Sequence, residues 1–299
     1  MKKYIGVDLG GTNIRAAVVQ EDGQIVCMKK TQSRPQRGAE AVMETMASLI
    51  ESLDGWKDCE GIGMGIPGPI DTAQGKIIVS TNLPKLIGFP IAAYIQEHFQ
   101  KPAYMDNDVK VAALGEAVQG AGKGMPIVYY VTISTGIGGA LVIDQKVISG
   151  QNGHAGEIGN ICIDRAREKY NILNVGAVEN EASGTAITRK GQEVFGDRIQ
   201  NAGDVFDLAR SGDERAGKIV EDMAYDLAVM FSAIGHVVDP HVFVVGGGVM
   251  KAKDVFFDKM ESHYRSMIHD GMQSVVFKEA MLEEPGIIGA AMLPMTRLR

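Results

Sequence analysis

Twice in this chain an apolar strand pattern breaks into a polar, glycine-rich turn carrying a threonine and then resumes as strand. The first instance is Tyr4-Ile-Gly-Val-Asp8, then Leu-Gly-Gly-Thr12-Asn13 and an alternating run from Ile14 to Val19. The second is the apolar run 127–133, then Ser134-Thr-Gly-Ile-Gly-Gly139 and the run 140–143. A repeated strand–turn–strand unit points to two similar halves facing each other. Helical periodicity fills the intervals between strands, so the class is α/β. Val42, Met46, Leu49 and Leu53 mark one amphipathic helix, and Met223, Leu227, Met230 and Ile234 mark a long one whose Met-rich face reads as core.

The remaining segments extend the pattern. Residues 24–30 return as a third strand, and a strand over 59–66 stops at Pro67-Gly68-Pro69. A polar loop at 80–84 precedes a helix over 91–99, and a strand over 103–105 leads through Asn107-Asp108 into a helix running to about 119. Residues 120–124, Gly-Ala-Gly-Lys-Gly, read as a linker between domains. Beyond the second turn come a glycine-rich loop with His154 and Glu157, an irregular polar stretch over 164–174, and a helix start at Ser183-Gly184. A strand over 241–245 then enters Gly246-Gly247-Gly248. Helices are expected over 254–267 and from Pro285 onward.

Bulk properties narrow the function classes. The chain has 299 residues, 45% of them hydrophobic, enough for one large domain or two moderate ones. A net charge of −7 argues against nucleic acid as a general partner. No apolar run approaches the roughly 18 residues of a membrane span, and the first residues pass straight into strand without a signal-peptide core. Three widely spaced cysteines, Cys27, Cys59 and Cys162, form neither a metal motif nor a disulfide framework, so the expected location is the reducing cytoplasm.

Glycines in a turn let backbone N–H groups approach an anion, although each of these turns alone is unspecific. None has the P-loop or dinucleotide spacing. Two strand–turn–strand loops carrying Thr suit the phosphates of one nucleotide, and the triplet at 246–248, between strand and helix, suits adenosine packed on bare backbone. At the strand-to-helix junction, Asp108 serves either as a helix cap or as a base that accepts a hydroxyl proton.

Taken in order, these motifs resemble the ROK family of sugar kinases, within the actin-like ATPase superfamily, over essentially the whole chain. Asp8-Leu-Gly-Gly-Thr-Asn13 resembles the first phosphate motif, Ser134-Thr-Gly-Ile-Gly-Gly139 the second, and Val244-Val-Gly-Gly-Gly248 the adenosine motif. Asn107-Asp108-Val-Lys-Val-Ala-Ala-Leu-Gly-Glu116 resembles the catalytic stretch. Gly153-His-Ala-Gly-Glu157-Ile-Gly resembles the sugar-binding loop, and Glu179 with Ala182-Ser-Gly184 the segment after it.

The resemblance implies a two-domain actin-like ATPase (ribonuclease H-like) fold with a cleft between the domains. An N-terminal domain over 1–119 is joined by a C-terminal helix near 285–299, and the larger domain covers 120–284. It implies transfer of the γ-phosphate of ATP to the 6-hydroxyl of a hexose, with Asp108 as general base. Gly68, Asn82, Asn107, His154, Glu157 and Glu179 would hold the sugar. Asp8, Gly10, Gly11, Thr12, Asn13, Thr135, Gly136, Gly184, Gly246, Gly247 and Gly248 would hold the nucleotide, with Mg2+ accompanying ATP and met by Asp8 through water. A homodimer follows by analogy.

One departure stands out. The family's zinc site takes a His directly after the Glu-Ile-Gly run and three Cys in a C-x-C-G-x-x-G-C pattern. Here those positions hold Asn160, Tyr170, Ile172 and Ala177, none of which supplies an imidazole or a thiolate. No structural zinc is expected, with apolar packing or hydrogen bonds bracing the loop instead.

Glucose is the first choice of substrate and N-acetylmannosamine the second, followed by fructose, allose and β-glucosides. Glu179, placed for a free anomeric hydroxyl, weighs against a β-glucoside. Related repressors carry a DNA-reading helix ahead of the first strand, which leaves a sugar-sensing regulator without a DNA-binding domain as the non-kinase alternative. A filament ATPase of the same fold has no need of the Glu157 loop.

Overall fold

The computed structural model describes residues 1–298. The chain opens with β1 (Lys3–Leu9), β2 (Asn13–Gln20) and β3 (Ile25–Gln32), then α1 (Ala39–Glu51) and β4 (Ile62–Ile66). A small hairpin, β5 (Ile70–Asp71) and β6 (Lys76–Ile77), precedes α2 (Ile91–Phe99), β7 (Ala103–Asn107) and α3 (Asp108–Val118). Next come β8 (Ile127–Ile133), β9 (Ile137–Ile143) and β10 (Lys146–Val147), then α4 (Val178–Ala182), α5 (Gly184–Phe195), α6 (Ala202–Arg210) and α7 (Glu214–Val238). The chain ends with β11 (Val242–Gly246), α8 (Lys253–Met267), β12 (Val276–Glu279) and α9 (Pro285–Arg297). Residues 24–30 do return as a strand. The β5–β6 hairpin, α6 and β12 are short elements not expected from the sequence.

The two five-stranded sheets have orders β3-β2-β1-β4-β7 and β10-β9-β8-β11-β12. The orders are equivalent: a meander of three strands, then a crossover to two more. In the first sheet β1–β2 and β2–β3 are antiparallel while β1–β4 and β4–β7 are parallel, and in the second β9–β10 is antiparallel and β11–β12 parallel. The repeated turn motif in the sequence is therefore the first hairpin of each sheet. Central β4 and β11 are buried at every residue, as expected of parallel strands covered on both faces, whereas edge strand β3 is largely exposed.

By its internal contacts the chain divides into two compact units. The first holds Met1–Val128, Ala140–Gly156 and the residues from Ala280 onward; the second holds Tyr129–Gly139 and Glu157–Glu279. Residues 120–122 are fastened within the first unit, because Glu116 Oε2 accepts the N–H of Ala121 at 2.8 Å and its backbone oxygen that of Gly122 at 2.9 Å. The first core gathers Ile5, Val7, Ile14, Met46, Ile62 and Met64. The second centres on Phe231, Phe243, Tyr264 and Phe277, with ring centroids about 5–6 Å apart, and on the buried face of α7.

Glycine lets α9 lie unusually close to its neighbours in the first unit. A Cβ at Gly63 on β4 would stand 1.8 Å from the carbonyl oxygen of Ala290. That carbonyl has no helical donor four residues on, because position 294 is proline. Where α9 meets α3, a Cβ at Gly289 would stand 1.6 Å from the Val111 carbonyl oxygen, and one at Gly115 would stand 3.0 Å from the Gly289 nitrogen. The position of α3, and so of Asp108 at its start, depends on backbone meeting backbone. Gly289→Ala is expected to cost about 3 kcal/mol or more by overpacking. Gly286→Ala on the same helix, where a Cβ meets nothing within 4 Å, should be neutral or stabilising by up to about 1 kcal/mol. Urea unfolding midpoints of the two variants check this difference.

Candidate functional site

In the first unit the site begins where β7 turns into α3. Asn107 is the N-cap: its Oδ1 accepts the N–H groups of Val109 at 3.0 Å and Lys110 at 3.3 Å, and its Nδ2 donates to the Gly68 carbonyl at 3.2 Å. The capping task thus falls to Asn107, and Asp108 is the first helical residue. Asp108 Oδ1 accepts from Val109 N at 2.9 Å, and Oδ2 has no hydrogen bond among the described residues. Burial pushes the Asp108 carboxyl above the ordinary aspartate range, the Val109 N–H opposes that push, and the charge of Asp8 adds to it. Together these leave a poised, half-buried carboxylate with one oxygen available for a ligand.

Asp8 lies opposite Arg15 in the β1–β2 register, and Arg15 grips its Oδ2 through Nη2 at 2.6 Å and Nε at 3.1 Å. The same guanidinium also reaches Glu284. Asp8 Oδ1 carries no protein hydrogen bond among the described residues, which suits a contact to a hydrated cation. In the following turn Gly10 N donates to Asn13 O at 2.8 Å, and Thr12 and Asn13 are exposed. A Cβ at Gly11 would lie 3.3 Å from Asn82 Cβ, so the structure brings Asn82 against this turn.

Two flanking residues hold the 149–154 loop to the same junction, and the sequence did not single them out. Asp106, fully buried, accepts from Ser149 Oγ at 2.7 Å and from Asn107 N at 2.8 Å. Lys110, 3% exposed, donates its Nζ to the carbonyls of Gly153 at 2.7 Å and Ser149 at 3.3 Å. Their signal was the alternation in Asp106-Asn-Asp-Val-Lys110, polar side chains where a core helix entry would be apolar. His154 itself is exposed and bonds the carbonyl of Asn152 at 2.6 Å.

In the second unit three loops converge. Ser134 N donates to Gly136 O at 2.8 Å, closing the turn that presents exposed Thr135. Gly184 N donates to the Ser134 carbonyl at 2.7 Å, and Ser183 caps α5 through Ala186 N at 3.2 Å. The start of α5 is thereby docked on the turn, and a helix N-terminus favours anions. Gly247, with φ of 96°, follows strand β11, and a Cβ there would lie 2.2 Å from the Ile133 carbonyl oxygen. Thr135, Gly184 and Gly248 line a cavity of about 450 Å³ together with Asn201, Phe206 and Lys251, at the low end of small-molecule pockets. Gly246 is buried at the end of β11. Glu157 is exposed with no hydrogen bond to its carboxylate among the described residues, and Glu179 lies in the first turn of α4.

The four positions that would ligate zinc are occupied otherwise. Asn160 Oδ1 accepts Asn174 N at 2.6 Å, and Asn174 Nδ2 donates to the Asn160 carbonyl at 3.0 Å. The Tyr170 ring lies 3.8 Å from the Arg189 guanidinium, Ile172 is 97% exposed, and Ala177 is buried. These residues do not fit a zinc ion, and no group of three or more His, Cys, Asp or Glu is placed to hold a metal among the described residues.

The loop is pinned instead by Arg167. Its two terminal nitrogens each meet one Asp226 oxygen at 2.6 Å, and Nη1 also reaches Glu181 at 3.0 Å, to which Lys190 adds a contact at 2.9 Å. Asn171 and Asn180 exchange amide hydrogen bonds at 2.9 and 3.1 Å. The hydrogen bond to Asp226 leads in holding the Arg167 guanidinium protonated. Burial pushes the Asp226 carboxyl up while Arg167 opposes it, and the guanidinium is the firmer partner because arginine keeps its proton in proteins. Arg167→Met, which strands a buried carboxylate, is expected to destabilise by about 3 kcal/mol in urea unfolding. A zinc chelator should leave the wild-type midpoint unchanged.

Residues 4–297 match the model of the ROK family. A glucokinase of Halalkalibacterium halodurans is 32% identical over 97% of this chain and 94% of its own length. An N-acetylmannosamine kinase of Yersinia pseudotuberculosis is 31% identical over the full length of both. Among solved structures, a ROK hexokinase from Thermus thermophilus superposes with a TM-score of 0.89 at 30% identity over 99% of both chains. A ROK family glucokinase from Streptomyces griseus in complex with glucose and AMPPNP superposes with a TM-score of 0.76 at 27% identity, covering 97% of this chain and 98% of that one. The fold is accordingly that of the actin-like ATPases, and the chain belongs to the ROK family.

Proposed function

We propose that this protein is an ATP-dependent hexose kinase that phosphorylates the 6-hydroxyl of glucose, with N-acetylmannosamine the alternative substrate. The observation that carries the proposal is Asp108: relieved of capping by Asn107, it offers one unengaged carboxylate oxygen within reach of the charge of Asp8 in the same unit. The glucokinase and N-acetylmannosamine kinase relatives support both the reaction class and the two candidate sugars.

Asp108 accepts the proton of the 6-hydroxyl as that oxygen attacks the γ-phosphorus. The bond from phosphorus to the β–γ bridging oxygen breaks, and ADP leaves. Backbone N–H groups of the two glycine turns and the α5 N-terminus bind the phosphates, and the cavity at Gly248 holds the nucleoside. Mg2+ brought with ATP would neutralise phosphate charge, and Asp8 would hold it through water by the oxygen that Arg15 leaves uncovered. Asn82, Asn107, His154, Glu157 and Glu179 orient sugar hydroxyls, and Gly68 positions the Asn107 amide. Most of the rate enhancement then comes from positioning and charge neutralisation, with the base adding about 10²–10⁴-fold.

Coupled ADP release across a panel of hexoses, N-acetylmannosamine and β-glucosides tests the substrate. Asp108→Asn should lower kcat by about 10²–10⁴-fold while sugar affinity, read by calorimetry, changes little. ATP turnover indifferent to every sugar would overturn the kinase assignment.

The raised carboxyl of Asp108 also sets the pH response. The base must be ionised, so activity is present above its folded-state pKa and lost as pH falls through it. The acid limb of kcat/KM should therefore lie above the ordinary aspartate range. Asp8→Asn removes a repelling charge and should move that limb downward, whatever it does to the plateau; an unmoved limb would detach it from Asp108.

A further inference from the structure

One carboxylate in the second unit touches both the phosphate turn and the sugar loop. Glu179 Oε2 accepts the N–H of Ile137 at 2.8 Å, and Ile137 is the residue directly after the Ser134-Thr135-Gly136 turn. Two glycines, one from each loop, clear the space for it. A Cβ at Gly136 would stand 2.6 Å from Glu179 Oε2. At Gly159, in the Glu157-Ile158-Gly159 run, a Cβ would stand 2.9 Å from that oxygen and 2.4 Å from the Ile137 carbonyl oxygen. Oε1 has no hydrogen bond among the described residues. The helix that carries Glu179 is held independently, since Glu181, two residues on, is fixed by Arg167 and Lys190. The side chain is thus mounted on a braced support with one oxygen on the phosphate turn and the other available to a ligand.

We infer that Glu179 couples sugar binding to nucleotide binding. The inference rests on the kinase assignment and adds to it a positioning function for this residue toward the phosphates, beyond any contact with sugar. A sugar hydroxyl donating to Oε1 holds the carboxylate in the rotamer that keeps Oε2 on Ile137 N–H, and so holds Thr135 and Gly136 in the shape that receives phosphate. The same hydroxyl draws negative charge away from a turn that must accept an anion. Both consequences have one sign: sugar tightens nucleotide binding, and by linkage the nucleotide tightens sugar binding equally.

The experiment is a calorimetric titration of AMPPNP with Mg2+ into the full-length protein, with and without saturating glucose or N-acetylmannosamine. In the wild type the sugar should tighten AMPPNP binding by about tenfold, within the usual range of such couplings. Glu179→Ala should bring that factor close to one. Glu179→Gln keeps an oxygen acceptor for Ile137 N–H and should retain most of the factor, with melting curves confirming that both variants are folded. A wild-type factor of one, or a full factor surviving in Glu179→Ala with sugar still bound, overturns the inference while leaving the kinase assignment standing. Failure of the wild type to bind any sugar of the panel overturns the assignment itself and the inference with it.

Discussion

The bare backbone contact between α3 and α9 is the constraint on which the first unit is built. A helix whose carbonyl approaches β4 at Gly63, and whose Gly289 admits the Val111 carbonyl, has no freedom to slide: any Cβ at those points would overlap a backbone atom. Close packing of this kind transmits position rigidly, because interiors have few voids to absorb a shift. Asp108 starts α3, so its location follows from a contact between main chains. Asn107 then decides what Asp108 is for. With the orphan N–H groups of Val109 and Lys110 satisfied by the asparagine, the aspartate is not consumed as a cap.

Around that junction the protein spends buried polar groups on holding loops. Asp106 and Lys110, among the few buried charged residues of the chain, both reach the 149–153 segment. Burying a charge is tolerable only when hydrogen bonds replace the lost water, and the Ser149 hydroxyl and the loop carbonyls supply them. The 160–177 loop solves the same problem differently. It is held by the Arg167 fork between Asp226 and Glu181 and by paired asparagines. A bidentate guanidinium fixes direction as well as distance, so it can define a loop without thiolates.

Much of this was legible in the chain. Two threonine-bearing glycine turns between strands foretold two equivalent sheets, and the helix behind Asp108 was marked by its entry residues. The loss of zinc ligands at Asn160, Tyr170, Ile172 and Ala177 was plain from residue chemistry. What went unseen has physical reasons. The return of Ala140–Gly156 to the first unit leaves no mark in local periodicity, because it depends on contacts such as Lys110 with Gly153, 43 residues apart. Helix α6, which supplies Phe206 to the cavity at Gly248, is nine residues long and buries only Val205 and Phe206, so it is easily passed over. Its capping box at Asn201 and Asp204 was the available signal.

By itself, then, the sequence determined which side chains can do chemistry and which cannot: an aspartate at a strand-to-helix junction, glycine backbones for an anion, and no ligand set for zinc. Such properties belong to residue types and short spacings. Only the tertiary structure decided their assignments. It gave the cap to Asn107 and left Asp108 as the first residue of the helix, set Arg15 on one oxygen of Asp8, and laid Glu179 against both Gly136 and Gly159. Those outcomes turn on distances of a few tenths of an ångström between residues far apart in the chain, which no local pattern encodes.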